Sequence, residues 1–435
     1  MKIIVLSFTI MENVPLAAGY VVAAARADEI TGKNNIELWD EACEDYKDNN
    51  QAMQKLCKRI IDAQPDMLAF SSYVWNLKIC LEMAALVKSQ NQKITTVFGG
   101  PGATFTATYL LDRYQGVDYV IRGEGEKAFV ELLHAMMKGE KIDGIKSLSW
   151  KHDGKIIETP NRPGIENLDE VPSPYLSGVL EPKNDIIIET HRGCIFKCGY
   201  CQEARGYPGI RPFSVRRVEQ EIEWAETRGV KRISFVNSIY NINPKRTEEL
   251  SLMLAKHKSG IQFSIDTFAM LINERTADLY EKAGIYGTDI GLQSTNRQAI
   301  INMKRPWIEP EKFREMHKML KDRGIRTSIH LILGLPGDNF ETFKKSYAYT
   351  ESIEPTTISV FRLLVLPGTP FYQERKKFSL ISNPDPPFAI SSSSTFSADE
   401  IKLAETYVEA KYKEFLMKNS YRQMLIDLPA APIPA

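Results

Sequence analysis

Cysteine is scarce in this 435-residue chain, and the six present stop early: Cys43, Cys57, Cys80, Cys194, Cys198 and Cys201, with none after that. So few thiols exclude a disulfide-built scaffold, and the later part of the chain has none left for a second metal cluster. Histidine is equally sparse, and the first is His134, so no imidazole precedes it. Net charge is also missing, since Lys+Arg and Asp+Glu both number 55. A balanced chain makes no field that gathers nucleic acid or an anionic membrane. No apolar run approaches the ~20 residues of a membrane span. The opening Met1-Lys2-Ile3-Ile4-Val5-Leu6-Ser7-Phe8 is too short an apolar stretch for a signal peptide and lacks a cleavage site. The expectation is a cytoplasmic protein.

What remains is the composition of an ordinary globular protein, 43% hydrophobic and 25% charged. The length is too great for one core and implies two or three domains. Over residues 1–140, short apolar strands at Ile3–Phe8, Ile36–Trp39, Met67–Ser72, Ile94–Phe98 and Val117–Ile121 alternate with helical patterns. Such alternation reads as a doubly wound parallel sheet, which binds ligands in loops at the carboxyl ends of its strands. Residues 141–183 read as a connector, with a hairpin turn at His152-Asp153-Gly154 followed by a surface linker rich in Pro, Asn, Asp and Glu. From 184 to 375 a second alternation, starting at Ile186–Thr190, gives six strands and a partial (β/α)6 TIM barrel, with its site at the C-terminal strand ends. Residues 376–435 contain a Ser/Pro-rich loop over Asn383–Ser394 and an amphipathic helix over Ala398–Lys418. Cys57 falls in the stripe Met53, Leu56, Cys57, Ile60, Ile61, and Cys80 accompanies Leu77, Leu81 and Ala84, so both read as core packing.

The chemistry is concentrated in Gly193-Cys194-Ile195-Phe196-Lys197-Cys198-Gly199-Tyr200-Cys201. Thiolates at this spacing can turn inward from one loop and hold three corners of an iron–sulfur cube. Zinc closes its structural sites with four ligands, and His191 stands too near Cys194 for a usual zinc spacing; a disulfide would leave one thiol odd. The segment resembles the CxxxCxxC signature of the radical S-adenosylmethionine (SAM) superfamily. The resemblance implies a four-iron four-sulfur cluster on Cys194, Cys198 and Cys201, whose open iron binds SAM and whose electron cleaves it to a 5′-deoxyadenosyl radical.

By the same resemblance, Tyr200 leans on the adenine, and Gly291-Leu292-Gln293-Ser294 supplies ribose and carboxylate contacts through Gln293 and Ser294. Gly334 and Pro336, in Leu333-Gly334-Leu335-Pro336-Gly337, let adenine approach the backbone. Asn237 stands where relatives more often carry Asp, keeping an acceptor oxygen for the SAM amino group.

In residues 1–140 the loops after the strands carry Asn13, Leu16 and Gly19; then Ser72, Tyr73, Val74, Trp75 and Asn76; then Gly99, Gly100 and Pro101; then Gly123, Glu124 and Glu126. As an ordered set they resemble the cobalamin-binding domain found in front of many radical SAM enzymes, and they are the cofactor-binding residues the resemblance implies. One type of cobalamin domain supplies a cobalt-ligating histidine after its first strand, and no such histidine stands here. His134 reads as helix packing. The resemblance therefore implies a cobalamin held without a protein imidazole, which favours homolytic methyl transfer.

Together these features resemble the cobalamin-dependent (class B) radical SAM enzymes, whose commonest activity is methylation of an unactivated carbon, here of a metabolite or a peptide. The alternatives are an oxidative cyclisation, ring contraction or rearrangement with the same cofactors, and a cobalamin sensor without catalysis. An electron donor such as flavodoxin or ferredoxin is implied, and the region after Tyr372 is expected to wall the substrate pocket.

Overall fold

The structure is a computed structural model that describes residues 1–10, 14–203, 205, 209–257 and 260–418. The first sheet has seven strands: β1 (Lys2–Thr9), β2 (Asn35–Ala42), β3 (Met67–Ser71), β4 (Thr95–Gly99), β5 (Tyr119–Ile121), β6 (Leu148–His152) and β7 (Lys155–Glu158), in the order β2-β1-β3-β4-β5-β6-β7. The first five pair in parallel. Strands of such a sheet are covered on both faces, so they read as continuous apolar runs rather than alternations. Accordingly β1 is buried from Ile3 to Phe8 and β3 throughout. The hairpin expected in the connector is present, and it joins this sheet: β6 pairs antiparallel with β5, and β7 with β6.

Helix Asn50–Ala63 shows how local sequence makes these layers. Asn49 caps its start by accepting the Ala52 N–H, and Gln64 ends it in the left-handed conformation. Such a cap stabilises a helix by ~1 kcal/mol. Met53, Leu56, Cys57 and Ile60 form its buried face. Cys57 and Cys80 are core residues as expected, and so is Cys43, which the sequence places in a polar stretch; all three belong to one apolar cluster. His134 does not simply pack its helix: its Nε2 lies 2.7 Å from an Asp28 carboxylate oxygen.

The second sheet takes six strands in sequence order: β8 (Asp185–Ile188), β9 (Arg232–Phe235), β10 (Gln262–Thr267), β11 (Ile285–Gln293), β12 (Arg326–Leu333) and β13 (Thr357–Arg362). The pairings from β9 to β13 are parallel. Helices Pro244–Leu254, Glu274–Lys282, Pro310–Lys321 and Phe340–Ser352 fall between consecutive strands. The segment expected as a loop over Asn383–Ser394 instead contains Ile390–Ser392, which pairs with Ile381–Ser382. Burial explains the difference, because Phe388, Ile390 and Phe396 are core residues. The helix Ala398–Lys418 has the expected bounds.

The chain divides into two compact units: residues 1–188 with 211–230, and residues 189–210 with the remainder from 231. Within the first, Arg211–Val230 docks through Arg217, whose Nη1 donates to the Val171 carbonyl, and through Trp224, whose ring lies 4.9 Å from that of Tyr175.

Candidate functional site

In the first unit the strand order reverses between β1 and β3, and open α/β sheets bind ligands beyond the carboxyl ends of strands at such a switch point. The loop after β3 begins there. Asn76 is fully buried and fixes it: its side-chain amide donates to the carbonyls of Phe8 and Ser71, and its oxygen accepts the Tyr73 N–H. With both amide protons and one lone pair of the oxygen spent inside the protein, Asn76 positions the loop. What the loop presents is an aromatic face. The Tyr73 and Trp75 rings stack at 4.4 Å, and Trp75 is 47% exposed.

Around it, Ser72 is buried and donates its hydroxyl to the Gly99 carbonyl. A Cβ on Gly99 would meet nothing within 4 Å, so space is open there, whereas one on Gly100 would stand 2.5 Å from the Ser72 carbonyl oxygen. Gly100 also has φ +91°, so it makes the turn from β4 into the helix begun by Pro101. Val74 is half-buried. Gly123 donates its N–H to the Thr104 hydroxyl.

Other expected contacts have different work. Gly19 lies against the connector, where a Cβ would be 2.9 Å from that of Pro174. Leu16 is buried at the start of its helix. Glu124 forms an ion pair with Arg211 at 2.6 Å and accepts the Ile165 N–H. Glu126 is buried and lines a cleft with Asp28, Lys127 and Glu170. Asn13 lies outside the described residues.

In the second unit the cysteine loop is held by backbone contacts. Gly199 donates to the Met303 carbonyl and accepts the Phe371 N–H, Gln202 donates to the Pro367 carbonyl, and Ser238 donates to the Gly193 carbonyl. Arg205 donates to the carbonyls of Cys198 and Cys201, and Arg192 pairs with Glu189. Cys198 is buried, while Cys194 and Cys201 are partly exposed. Burial pushes the Cys201 thiol up to about 11, and both other cysteines of the loop add to the push, so the three lie within electrostatic reach of one another. Among the described residues no three His, Cys, Asp or Glu side chains converge tightly enough for a single metal ion. A cubane asks for something else, one thiolate on each of three irons, and three thiols on one pinned loop suit it.

Several buried polar atoms have no partner among the described residues, and those of Gln293 and Asn237 are two of them. Gln293, with φ +69° at a register shift between β11 and β12, leaves Oε1 unsatisfied. Asn237 leaves Nδ2 unsatisfied, because its Oδ1 already accepts the Thr190 N–H. Asn237 is expected from the sequence to offer an acceptor to an ammonium group; its oxygen is already engaged by Thr190, and the atom left without a partner is the donor Nδ2. Orphaned buried groups are costly and call for a ligand, here one with both a donor and an acceptor, which fits the amino acid and ribose parts of SAM. Ser294 is spent internally, accepting the Asn296 N–H, and the Pro336 carbonyl accepts from Asn302. Gly334 is needed against the C-terminal strand, since a Cβ would stand 2.7 Å from the Ile390 side chain.

Arg305 is a residue of this site that reading the sequence does not reveal. Its Nη1 lies 3.8 Å from Cys198 Sγ and 3.4 Å from the Tyr200 hydroxyl, and its Nη2 donates to the Gly291 carbonyl at 2.9 Å. Tyr200 thus bonds a guanidinium beside the cysteines. In Met303-Lys304-Arg305-Pro306 nothing separates Arg305 from a solvated surface cation. A polar patch also runs across the less buried face of the second sheet. Asp266 stands opposite Asp289, His330 Nε2 lies 3.6 Å from an Asp289 oxygen, and the Ser234 and Ser264 hydroxyls meet at 2.7 Å. Burial, with the Asp289 charge beside it, pushes Asp266 well above the usual carboxylate range.

The comparisons with known proteins agree with both halves. Residues 188–349 match the Radical SAM superfamily and residues 11–133 match the B12 binding domain. An uncharacterized methyltransferase of Pyrococcus horikoshii is 26% identical over 367 residues, 82% of this chain and 78% of that protein. The cobalamin-dependent radical SAM methyltransferase TokK of Streptomyces tokunonensis is also 26% identical, over 74% of this chain, which spans only half the length of TokK. Among solved structures, the cobalamin-dependent SAM radical enzyme OxsB with aqua-cobalamin and SAM bound superposes with a TM-score of 0.75, at 16% identity, over 97% of this chain and 69% of that one. The chain thus joins a B12 binding domain to a radical SAM domain, the combination also found in the cobalamin-dependent radical SAM methyltransferase it resembles. Its cofactors are a four-iron four-sulfur cluster, SAM and cobalamin. No helix among the described residues is long and apolar enough to cross a membrane.

Proposed function

We propose that this enzyme methylates an unactivated carbon of a small molecule or peptide. One observation carries the reading: a single chain joins a three-cysteine cluster loop to a cobalamin fold whose strand-end loops contain no histidine. When bound, the cluster and SAM supply a hydrogen-abstracting radical and methylcobalamin supplies the methyl group, chemistry that belongs to the cofactors. The protein's share is placement. Cys194, Cys198 and Cys201 would hold the cluster and leave one iron open to SAM. Gln293 Oε1 would accept from a hydroxyl or ammonium of SAM, and Asn237 Nδ2 would donate to its carboxylate. Tyr73 and Trp75 would offer the macrocycle an aromatic face. Asp266, Asp289 and His330 offer hydrogen bonds to a polar substrate group. Residues 1–140 serve as the cobalamin domain, 141–183 as connector, 184–375 as the radical SAM domain and 376–435 as a wall for the substrate. A flavodoxin or ferredoxin delivers the electron, in a reducing cytoplasm.

The test uses methyl-deuterated SAM with candidate metabolites and peptides, and mass spectrometry of the products. The expected product carries the labelled methyl group, with 5′-deoxyadenosine and S-adenosylhomocysteine formed in about equal amounts. A product two hydrogens lighter, with 5′-deoxyadenosine and no S-adenosylhomocysteine, overturns methylation in favour of oxidative cyclisation.

A further inference from the structure

Arg305 stands beside the cluster loop with no part in holding the irons or SAM. A guanidinium set against cysteine ligands has to be explained by charge, by hydrogen bonding or by scaffolding. Scaffolding alone is a weak account, since the Gly291 carbonyl and the Tyr200 hydroxyl would be served by a neutral donor. The charge is not neutralised by a carboxylate, for no ion pair is recorded for Arg305 among the described residues. Its recorded side-chain partners are the Gly291 carbonyl, the Tyr200 hydroxyl and the Cys198 sulfur, and its guanidinium carbon lies 5.5 Å from the centre of the Phe268 ring. The cation thus faces a thiolate and an aromatic wall, where screening by water is weak and a unit charge acts strongly.

We propose that Arg305 sets the reduction potential of the cluster, its positive charge beside Cys198 favouring the reduced state. One electron enters from an external low-potential donor, and no bond is made or broken in the protein. The cluster with its three thiolates becomes one charge more negative. A fixed cation stabilises the more negative state and raises the potential, as net charge and hydrogen bonds to sulfur do in iron–sulfur proteins generally. Arg305 is a positioning residue in this account, since it acts through the cluster rather than on substrate. The inference rests on the cluster reading, and the experiment keeps the two apart.

The full-length protein, its Arg305→Gln and its Arg305→Lys variants are reconstituted anaerobically, counted for iron, and poised at a series of potentials without SAM. The reduced cluster is then read by electron paramagnetic resonance. Wild-type protein without four irons would sink the cluster reading itself. With four irons in each protein, Arg305→Gln is expected to show a reduced-to-oxidised ratio about tenfold lower at a fixed potential, equivalent to ~59 mV for one electron. Arg305→Lys, which keeps the charge, should stay close to wild type. An unchanged ratio in Arg305→Gln overturns the proposal, and so leaves a grip on SAM or a scaffold as the role, neither of which moves a SAM-free potential. If Arg305→Gln does not hold iron, Arg305→Lys decides. A loaded cluster with the wild-type ratio supports the charge role; a tenfold shift, or no iron, overturns it.

Discussion

His317 lies on the buried face of helix Pro310–Lys321, with Nε2 2.9 Å from the Thr327 hydroxyl. Burial, with Lys321 and Arg314 adding to it, lowers its pKa from 6.5 to about 4. The unfolded chain therefore takes up this proton before the folded one does. Stability from this group is full above about pH 6.5 and is lost as pH falls toward 4. Between chemical denaturation at pH 7.5 and at pH 5, this group alone should account for a loss on the order of 1–2 kcal/mol. A His317→Gln variant should lose distinctly less. His191, lowered to about 4 by burial and Arg246, contributes the same slope and remains in that variant. At this scale the sequence was legible where residue type alone decides, as with the three cluster thiols. It was silent where direction decides. Asn237 reads as an acceptor until the Thr190 N–H is seen to occupy its oxygen, and Arg305 reads as a surface charge until Cys198 is seen beside it.

Elements were easier to read, because apolar runs and helical stripes need only local sequence. The five strands of the first alternation lie within a few residues of their expected places, and the order β2-β1-β3-β4-β5 puts the switch point beside the aromatic loop. Pairing partners were the harder part. Nothing local tells the hairpin β6–β7 to extend the first sheet, and nothing local shows Ile390 packing beside Gly334. The glycines divide accordingly. Replacing Gly100 by Val forces a side chain onto the Ser72 carbonyl at a positive φ, so it should lower the melting temperature sharply, whether or not cobalamin is present. Trp75→Ala, at a 47% exposed position, should leave melting of the cobalamin-free protein almost unchanged. Equilibrium dialysis should show cobalamin affinity reduced roughly tenfold, since base- or macrocycle-sized stacking is worth ~1–3 kcal/mol. Equal affinities would remove the aromatic face from the site.

For the whole molecule, the cluster loop and the cobalamin loops belong to different compact units. Loading of the two cofactors should then be separable. A Cys194→Ala, Cys198→Ala, Cys201→Ala triple variant should lose its iron and keep one cobalamin, measured by metal analysis after gel filtration. Bound cob(II)alamin should show no splitting from an imidazole nitrogen in either protein. A nitrogen splitting that changes when the histidines are labelled with 15N would mean that a histidine reaches cobalt, and would undo the histidine-free reading of the first unit.

The return of Arg211–Val230 to the first unit bears on how such a protein can be assembled or inherited. That segment brings Arg211 to Glu124, Arg217 to Val171 and Trp224 to Tyr175, so it completes a core begun by residues 1–188. A single break in the gene cannot separate the units, because any cut before Arg211 strips the first of Arg211–Val230 and any cut after Val230 leaves the cysteine loop attached to the first. Transplanting either cofactor module requires two junctions. Recombination at one crossover would yield an incomplete core, which ties the corrin-binding and cluster-binding halves into one heritable block.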